Sequence, residues 1–388
     1  MEFIDLKAQQ SQPTSTGESL RANIEQRIRS VLDHGKYILG PEVNEIEEKL
    51  AKFIGVNHCI GVSSGTDALL IALMALGIKP GDEVITTPFS FFSTVETILL
   101  LGAKPVFVDI EKNTYNLDPN HLEKAISKKT KAIMPVSLYG QPANYKLINE
   151  IAIKKNILVI EDGAQSFGST HHKLKSGNLT DIGTTSFFPS KPLGGYGDGG
   201  ACFTNNPDLA KTMREISLHG QNQRYSHKRL GINGRMDTIQ AAILLAKLDL
   251  FDKEVKARNE IGSRYTKKLN SKGFKETPFI SEENTSVYAQ YTIQVDNRNK
   301  VIDELKALGI PTSIHYPSLI SEQKALIKTN VNTSLGLFRN IFNKKFRKTS
   351  LLQNAKKASE RVLSLPMHPM LKDEDQDFIV DSLIRILN

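Results

Sequence analysis

The sequence predicts an α/β fold with a mainly parallel sheet between layers of helices, and two features of the chain lead to this prediction. Between residues 59 and 161, short apolar runs typical of strands alternate with longer runs of helical periodicity, at 66–76, 89–101, 117–126 and 145–154. Alternation of this kind is typical of parallel strands joined by helical crossovers. Two further strand-like runs follow, so seven strands are predicted, at residues 59–63, 83–87, 105–109, 132–136, 157–161, 184–188 and 201–204.

Helical segments flank this predicted sheet on both sides in the sequence. Apolar residues recur at helical spacing in 21–32 and 43–53, separated by Gly40-Pro41. Helix 208–218 follows the last strand, and a long helical passage at 237–269 leads into a smaller C-terminal α+β domain. We place the boundary near residue 250, which gives a large domain of 1–250 and a small domain of 251–388. The small domain is predicted to hold a strand at 287–295 and helices at 300–308, 351–363 and 373–387.

The composition is that of a globular protein. The 388 residues are 39% hydrophobic and 24% charged, which is enough chain for one large and one smaller domain. Cys59 and Cys202 lie far apart in apolar runs, so we expect two buried thiols, with neither a disulfide nor a metal site. The N-terminus has no basic-then-apolar pattern, and no run of about 18 apolar residues occurs. We therefore expect a cytoplasmic protein without a transmembrane segment.

The positive charge of the chain is concentrated in one segment. The formal net charge is +8, and residues 324–357 hold nine Lys and Arg with no Asp or Glu, so the rest of the chain carries −1 (8 − 9). This distribution argues against a nucleic-acid-binding fold. Two interpretations of the segment remain open, an amphipathic helix on a membrane surface or a solvated insertion that packs on the small domain. Its apolar residues at near-helical spacing are Leu335, Phe338, Ile341, Phe342 and Phe346.

A single lysine, Lys191, stands between the apolar run 186–190 and a glycine-rich loop at 194–200. Residues 195–200 match the spacing G-x-G-x-x-G, but a dinucleotide-binding loop must open a helix. Here the strand-like run 201–204 comes next, so we expect a tight turn that passes close to Lys191, and no nicotinamide or flavin site. A lone lysine in such a place is also typical of a solvated surface residue.

Two further motifs give the lysine a chemical context. Residues 63–66 lead from a strand into a helix, whose free amides at Gly65 and Thr66 can bind an anion, and Ser186 can add a hydroxyl. Asp162 follows an apolar strand and should lie at the carboxyl edge of the sheet, where α/β folds place ligands. Each motif alone is also typical of helix capping. Together they can bind a phosphorylated heterocycle, protonate its ring nitrogen and form an imine with its aldehyde.

With these motifs the chain resembles the pyridoxal-phosphate-dependent aminotransferases of fold type I, in particular the DegT/DnrJ/EryC1/StrS sugar aminotransferases. The resemblance implies pyridoxal 5'-phosphate as the cofactor, with Lys191 as the Schiff-base lysine and Asp162 beside the pyridine nitrogen. The other cofactor contacts that it implies are Gly65, Thr66 and Ser186 at the phosphate, Gln165 at the phenolic oxygen and Phe91 over the ring. Phe91 is equally typical of a core phenylalanine.

The resemblance also implies a homodimer with shared active sites. Asn233 would reach the cofactor phosphate of the partner subunit and Arg235 its sugar nucleotide, while His315 and Tyr316 would contact the sugar from the small domain. Without the resemblance, Asn233-Gly234 is a turn and the His-Tyr pair a structural feature. Two departures limit the comparison, namely Ser318-Leu319-Ile320 after His315-Tyr316-Pro317, and the long basic segment.

The activity that the resemblance implies is amino transfer from glutamate, with release of 2-oxoglutarate, to a nucleotide-linked ketosugar. The expected acceptor is C3 of UDP-2-acetamido-2-deoxy-3-oxo-glucuronate, a precursor for surface polysaccharide. The alternatives are a 4-keto-6-deoxy or 3-keto-6-deoxy sugar nucleotide, a dehydratase, against which Lys191 argues, and a non-catalytic sugar-nucleotide or membrane-surface binding protein.

Overall fold

The computed structural model describes residues 1–327 and 352–388 of the protein. The helices are α1 (Leu6–Gln9), α2 (Leu20–His34), α3 (Pro41–Ile54), α4 (Gly65–Ala75), α5 (Ser93–Leu100), α6 (Leu122–Ala125), α7 (Tyr145–Lys155), α8 (Pro207–Ser217), α9 (Thr238–Ser271), α10 (Arg298–Ala307), α11 (Lys324–Ile327), α12 (Gln353–Arg361) and α13 (Asp373–Leu387). The strands are β1 (His58–Val62), β2 (Glu83–Thr86), β3 (Lys104–Phe107), β4 (Thr130–Met134), β5 (Leu158–Asp162), β6 (Thr170–His171), β7 (Leu174–Lys175), β8 (Ile182–Ser186), β9 (Gly200–Thr204), β10 (Gln221–Gln223), β11 (Ser226–His227), β12 (Tyr291–Gln294) and β13 (Val362–Leu365).

The central sheet has seven strands in the order β1-β9-β8-β5-β4-β2-β3. Strand β9 is antiparallel to both of its neighbours, and the other pairs are parallel. These are the seven strands predicted from the sequence, each within two residues at either end, so the prediction of a mainly parallel α/β sheet is confirmed. The helices cover the sheet, and its central strands β5 and β8 are almost entirely buried.

The carboxyl edge of the sheet brings three strand ends together. Asp162 at the end of β5 pairs with Thr184 of β8, and Ser186 at the end of β8 pairs with Gly200 of β9. Gly200 also pairs with Val62 at the end of β1, where the chain enters α4. Residues from distant parts of the sequence therefore meet where open α/β folds bind ligands.

Helix α9 is continuous over 34 residues, or about 51 Å at 1.5 Å per residue. Its first half packs with Phe187 and Phe203 of the large sheet through Ala241, Leu244, Leu245 and Phe251. From Ile261 onward the same helix packs in a second core with Tyr291 and Leu365. The predicted boundary near residue 250 falls inside this helix, and the division into 1–250 and 251–388 stays a prediction.

The N-terminal residues are hydrogen bonded to a buried carboxylate on α9, that of Glu254. Glu254 accepts hydrogen bonds from Nε2 of Gln9, at 2.8 Å, and from Nε2 of Gln12, at 2.6 Å. Glu254, Lys247 and Arg258 are all buried, and burial lowers the pKa of Lys247 to about 8 and that of Arg258 to about 10. Glu254 opposes both shifts, so its negative charge partly compensates the burial of the two positive groups.

Four predictions of local structure were wrong in extent. The helix predicted at 117–126 is observed only as a 3-10 turn, Pro119–His121, and the four-residue α6. The predicted helix 351–363 ends at Arg361, because Val362, Leu363 and Leu365 belong to β13 and are buried against β12. The predicted strand 287–295 is reduced to β12, Tyr291–Gln294, and the helix predicted at 89–101 begins only at Ser93. Buried apolar runs fit either state, so periodicity alone did not fix the bounds of these elements.

Most of the basic segment, including the predicted amphipathic residues Leu335, Phe338, Ile341, Phe342 and Phe346, lies outside the described residues. Within the described part of this segment, Lys356 forms an ion pair with Glu322, with Nζ 2.9 Å from Oε1. Cys59 and Cys202 are buried free thiols on neighbouring strands, as predicted, and burial raises the pKa of each. Nowhere in 1–327 or 352–388 is a helix long and apolar enough to cross a bilayer.

Candidate active site

Asp162 lies at the base of the site, 4% exposed, as the last residue of β5. Its Oδ2 accepts a hydrogen bond of 2.9 Å from the Thr94 hydroxyl, and its Oδ1 accepts one of 3.3 Å from the Ala164 amide. Burial raises the pKa of the carboxyl, while Thr94, Ala164 and Lys191 oppose that shift, in decreasing order. The ionisation of the Asp162 carboxyl therefore depends on Thr94, Ala164 and Lys191.

Lys191 follows β8 in a turn closed by its own amide, which donates to the carbonyl of Phe188 at 2.8 Å. Burial lowers the pKa of its amine, and the carboxylate of Asp162 opposes this shift. Each of the two groups therefore acts electrostatically on the other. A lowered pKa increases the fraction of neutral amine, which is the form that attacks a carbonyl.

The N-terminus of α4 lies beside these two residues and is built for close approach. A Cβ atom placed on Gly65 would lie 2.5 Å from Cβ of Ser186, and one placed on Gly200 would lie 2.5 Å from the carbonyl oxygen of Ser64. Ser64 caps the helix by accepting from the Asp67 amide at 3.0 Å. Within the described chain, the amides of Gly65 and Thr66 donate to no protein group. Two free amides, a serine hydroxyl and the positive end of an 11-residue helix fit a phosphate group.

Gln165 connects Asp162 and its neighbours with two tyrosines that pack in the cluster around Phe89 and Tyr115. Its Nε2 donates to the hydroxyl of Tyr316 at 3.2 Å, and its Oε1 accepts from the amide of Tyr139 at 2.9 Å. The ring of Phe91 lies 6.4 Å from that of Tyr316, centroid to centroid, and Phe91 is 55% exposed. Phe91 is therefore not a core residue, and its ring is available to cover a planar ligand.

His315 also faces the site. Its Nδ1 is hydrogen bonded to the hydroxyl of Ser364 at 2.9 Å, and its carbonyl accepts from the hydroxyl of Tyr139. Burial, together with the charge of Lys191, lowers the pKa of His315 to about 4. The imidazole is therefore neutral at pH 7, and it can donate a hydrogen bond but brings no positive charge.

Asn233 and Arg235 lie on a segment whose backbone pairs with the end of β1, where the chain enters α4. Asn233 is exposed and its backbone pairs with Leu218, while Arg235 pairs with Val62 at the end of β1. Neither side chain bonds to Lys191, Asp162, Gln165, His315 or Tyr316. Nε of Arg235 is buried with no hydrogen-bond partner among the described residues.

The glycine-rich loop after Lys191 leads into strand β9, as predicted. A Cβ atom on Gly195 or Gly197 would lie 2.8 Å from the side-chain amide of Gln240. That amide accepts a hydrogen bond from the backbone of Tyr196 at 3.0 Å. The two glycines therefore allow the loop to pass close to Gln240 on α9.

Sequence reasoning missed several residues of the site. Thr94 bonds to Asp162, Tyr139 to the backbone of His315, and Ser364 to its imidazole. None of them belongs to a recognisable motif, and each lies at least 45 residues from its partner. Such contacts are set by the tertiary fold, and the sequence carries no local signal for them.

The fold and this cluster of side chains define a pyridoxal-phosphate-dependent aminotransferase. The chain belongs to the DegT/DnrJ/EryC1/StrS aminotransferase family, whose model matches residues 18–384. It is 50% identical over 371 residues to the UDP-2-acetamido-2-deoxy-3-oxo-D-glucuronate aminotransferase of Pseudomonas aeruginosa, with 96% of each chain covered.

Solved structures agree with this assignment. A DegT DnrJ EryC1 StrS aminotransferase from Brucella abortus superposes with a TM-score of 0.89 at 39% identity, over 100% of both chains. NtdA from Bacillus subtilis, solved with bound cofactor PMP, has a TM-score of 0.83 at 33% identity, with 95% of this chain and 82% of NtdA covered. The cofactor expected from the sequence is therefore confirmed, while the residues that would bind its phosphate stay a prediction.

Proposed function

We propose that the protein transfers the amino group of glutamate to C3 of UDP-2-acetamido-2-deoxy-3-oxo-glucuronate, with 2-oxoglutarate as the second product. The observation that supports the chemistry is that Lys191, after β8, acts electrostatically on Asp162 at the end of β5, at the sheet edge where Gly65 of α4 meets Ser186. The choice of sugar is supported by the relative from Pseudomonas aeruginosa, whose name states that substrate.

Each part of the cavity has a distinct role in holding the cofactor. Gly65, Thr66 and Ser186 bind its phosphate through two amides and a hydroxyl. Gln165, whose Nε2 also donates to Tyr316, would contact the phenolic oxygen, and the exposed Phe91 would cover one face of the ring. Asp162 keeps the pyridine nitrogen protonated, which requires the ionised carboxylate.

Pyridoxal phosphate, when bound, supplies an aldehyde that accepts the amino group and a ring that accepts an electron pair. Lys191 attaches the cofactor and moves protons. Its Nζ takes the proton from the α-carbon of glutamate in the first half-reaction and delivers a proton to C3 of the sugar in the second. Attachment of the cofactor and removal of a proton need the neutral amine, whereas delivery of a proton needs the ammonium form; a pKa lowered by burial makes both forms accessible.

The acceptor sugar carries a carboxylate that the site must match. His315 and Tyr316 offer hydrogen-bond donors from the same chain, but the imidazole of His315 is neutral at pH 7 because burial lowers its pKa to about 4. We therefore assign the positive charge to Arg235 of the partner subunit, as the resemblance to the family implies; the Nε of Arg235 is buried without a hydrogen-bond partner among the described residues of its own chain. Asn233 reaches the partner's cofactor phosphate in the same way, so the working unit is at least a homodimer. We place this enzyme in the cytoplasm.

A substrate panel tests the proposal. With glutamate as donor, the 3-oxo-glucuronate should be aminated at least about a hundredfold faster, in kcat/KM, than a 4-keto-6-deoxy or 3-keto-6-deoxy sugar nucleotide, because a methyl group leaves the carboxylate donors unpaired. Comparable values for both sugar classes would contradict the proposed substrate and leave the aminotransferase chemistry intact.

Lys191 variants test the chemistry itself. Lys191→Ala should fold, bind the cofactor weakly and lose turnover, because attachment and proton transfer both disappear. Lys191→Arg is the matched control, since it keeps the positive charge but cannot supply a neutral amine. Turnover by either variant within about tenfold of wild type, or 1.4 kcal/mol in the barrier, would remove Lys191 from its assigned role.

A further inference from the structure

Asp162 depends on a side-chain hydrogen bond from outside its own strand. Thr94, on α5, is fully buried, and its hydroxyl donates to Oδ2 of Asp162 at 2.9 Å. No other side chain in the described part of the chain donates a hydrogen bond to this carboxylate, whose second bond comes from the Ala164 amide at 3.3 Å. Among the groups that oppose the effect of burial on the pKa of Asp162, Thr94 has the largest influence.

A second hydroxyl fixes the direction of the first. Oγ of Ser90 lies 3.2 Å from Oγ1 of Thr94, and Ser90 is also buried. Because Thr94 uses its only proton toward Asp162, it accepts at this contact and Ser90 donates. The order Ser90, Thr94, Asp162 is thus a chain of hydrogen bonds directed at the carboxylate, and each bond in such a chain polarises the next.

We propose that Thr94 is a positioning residue for the aminotransferase reaction, which holds Asp162 ionised and in one orientation toward the pyridine nitrogen, with Ser90 orienting the Thr94 hydroxyl. The inference rests on the proposed role of Asp162. Its physical basis is that a buried carboxylate with one side-chain donor loses both its orientation and much of its stabilisation when that donor is removed.

Other charged or titratable groups also act on Asp162, and they come from several elements. Lys191 acts on it from the turn after β8, Tyr316 from the loop after α10, and Tyr145 from α7. Glu161 is its neighbour on β5. All of them remain in a Thr94 variant, so a change in the titration of the bound cofactor would report the loss of the hydroxyl.

The experiment compares Thr94→Val, which removes the hydroxyl at nearly constant shape, with Thr94→Ser, which retains it. Thr97→Val is the matched control, because Thr97 is fully buried on the same helix and donates instead to the carbonyl of Ser93 at 3.0 Å. For each variant we would measure pyridoxal phosphate affinity, the absorbance spectrum of the bound cofactor against pH, the melting temperature and kcat.

We expect Thr94→Val to weaken cofactor affinity about tenfold and to lower kcat about 10- to 100-fold, as for loss of a hydrogen bond to a charged group. The pH midpoint of the absorbance change should shift relative to wild type. Thr94→Ser should stay within about threefold of wild type, Ser90→Ala should lie between the two, and Thr97→Val should change only the melting temperature.

Asp162→Asn separates this inference from the proposed function. If Asp162→Asn binds cofactor and turns over as wild type does, the role of Asp162 is wrong. If Asp162→Asn is impaired but Thr94→Val behaves like Thr97→Val, only the role of Thr94 is wrong. In the double variant, Thr94→Val should add little to the loss caused by Asp162→Asn, and full additivity would overturn the inference. If Thr94→Val does not fold, Thr94→Ser and Ser90→Ala decide by their cofactor spectra.

Discussion

The lowered pKa of His315 keeps its imidazole neutral and makes the stability of the protein depend on pH. Its pKa falls from 6.5 to about 4 in the native protein because of burial and the charge of Lys191. Between these two pH values the unfolded chain binds a proton at this position and the native protein does not. Stability therefore falls as the pH drops from about 6.5 to about 4, by at most about 3 kcal/mol from this residue.

We predict that His315→Gln loses less stability than wild type over that pH window. The pKa of Glu161 is raised to about 7 by burial, so this residue contributes in the opposite direction, and a single pH curve is not diagnostic. The comparison should be the difference in free energy of unfolding between variant and wild type, measured by urea titration at pH 7 and pH 4. Equal losses in both proteins would show that the pKa of His315 is not lowered in the native protein.

Sequence and structure agree best for those residues of the site that motifs identify. Lys191, Asp162 and Gly65 follow or precede strands, so their positions at the carboxyl edge of the sheet were predictable. Thr94, Tyr139 and Ser364 were not, since each acts through one hydrogen bond to a residue far along the chain. The roles of Asn233 and Arg235 stay predictions, because they concern a second subunit.

At the level of elements, the seven strands of the large sheet were predictable because alternating strand and helix periods recur along the sequence. The strands of the core around Tyr291 and Leu365 were less predictable. Strand β13 directly follows α12 without a turn residue between them, and all four of its residues are buried, so no polar alternation marks it as a strand. Its pairing with β12 joins segments about 70 residues apart.

The contact between α4 and β8 leads to a prediction about Gly65. Gly65→Ala places a Cβ atom 2.5 Å from Cβ of Ser186, so the helix N-terminus must move away from the strand end. We expect the affinity for pyridoxal phosphate to fall by at least about tenfold and stability to fall by about 1–3 kcal/mol, as for other overpacked sites.

Gly61→Ala provides the control for that measurement, because a Cβ atom there would come no closer than 3.4 Å to any neighbour. Both variants can be compared by cofactor titration and by thermal unfolding of the cofactor-free protein. Unchanged cofactor affinity in Gly65→Ala would argue against a phosphate site at the start of α4.

At the level of the whole molecule, the shared active site can be tested by subunit exchange. Lys191→Ala and Arg235→Ala should each be inactive alone. Mixed at equal amounts and allowed to exchange, they should recover about a quarter of wild-type activity, because half of the dimers are mixed and each mixed dimer has one intact site.

The same mixture distinguishes the alternatives. If Arg235 serves the site of its own chain, every site in a mixed dimer lacks one essential residue and no activity returns. A fully active monomer, detected by turnover in a size-exclusion fraction of one chain, would also contradict the shared site.

The uninterrupted helix α9 also limits how the molecule can move around its substrate. It contributes side chains to the core around Phe187 and to the core around Tyr291, and Glu254 within it holds the first residues of the chain. Rotation about a flexible hinge near residue 250 would require breaking several helical hydrogen bonds in succession, and a regular helix resists this. Motion that brings His315 and Tyr316 onto a sugar is therefore expected as a small sliding displacement of packed side chains along a stiff axis. The distance between the end of β5 and the residues that contact the sugar would then be nearly constant through the catalytic cycle.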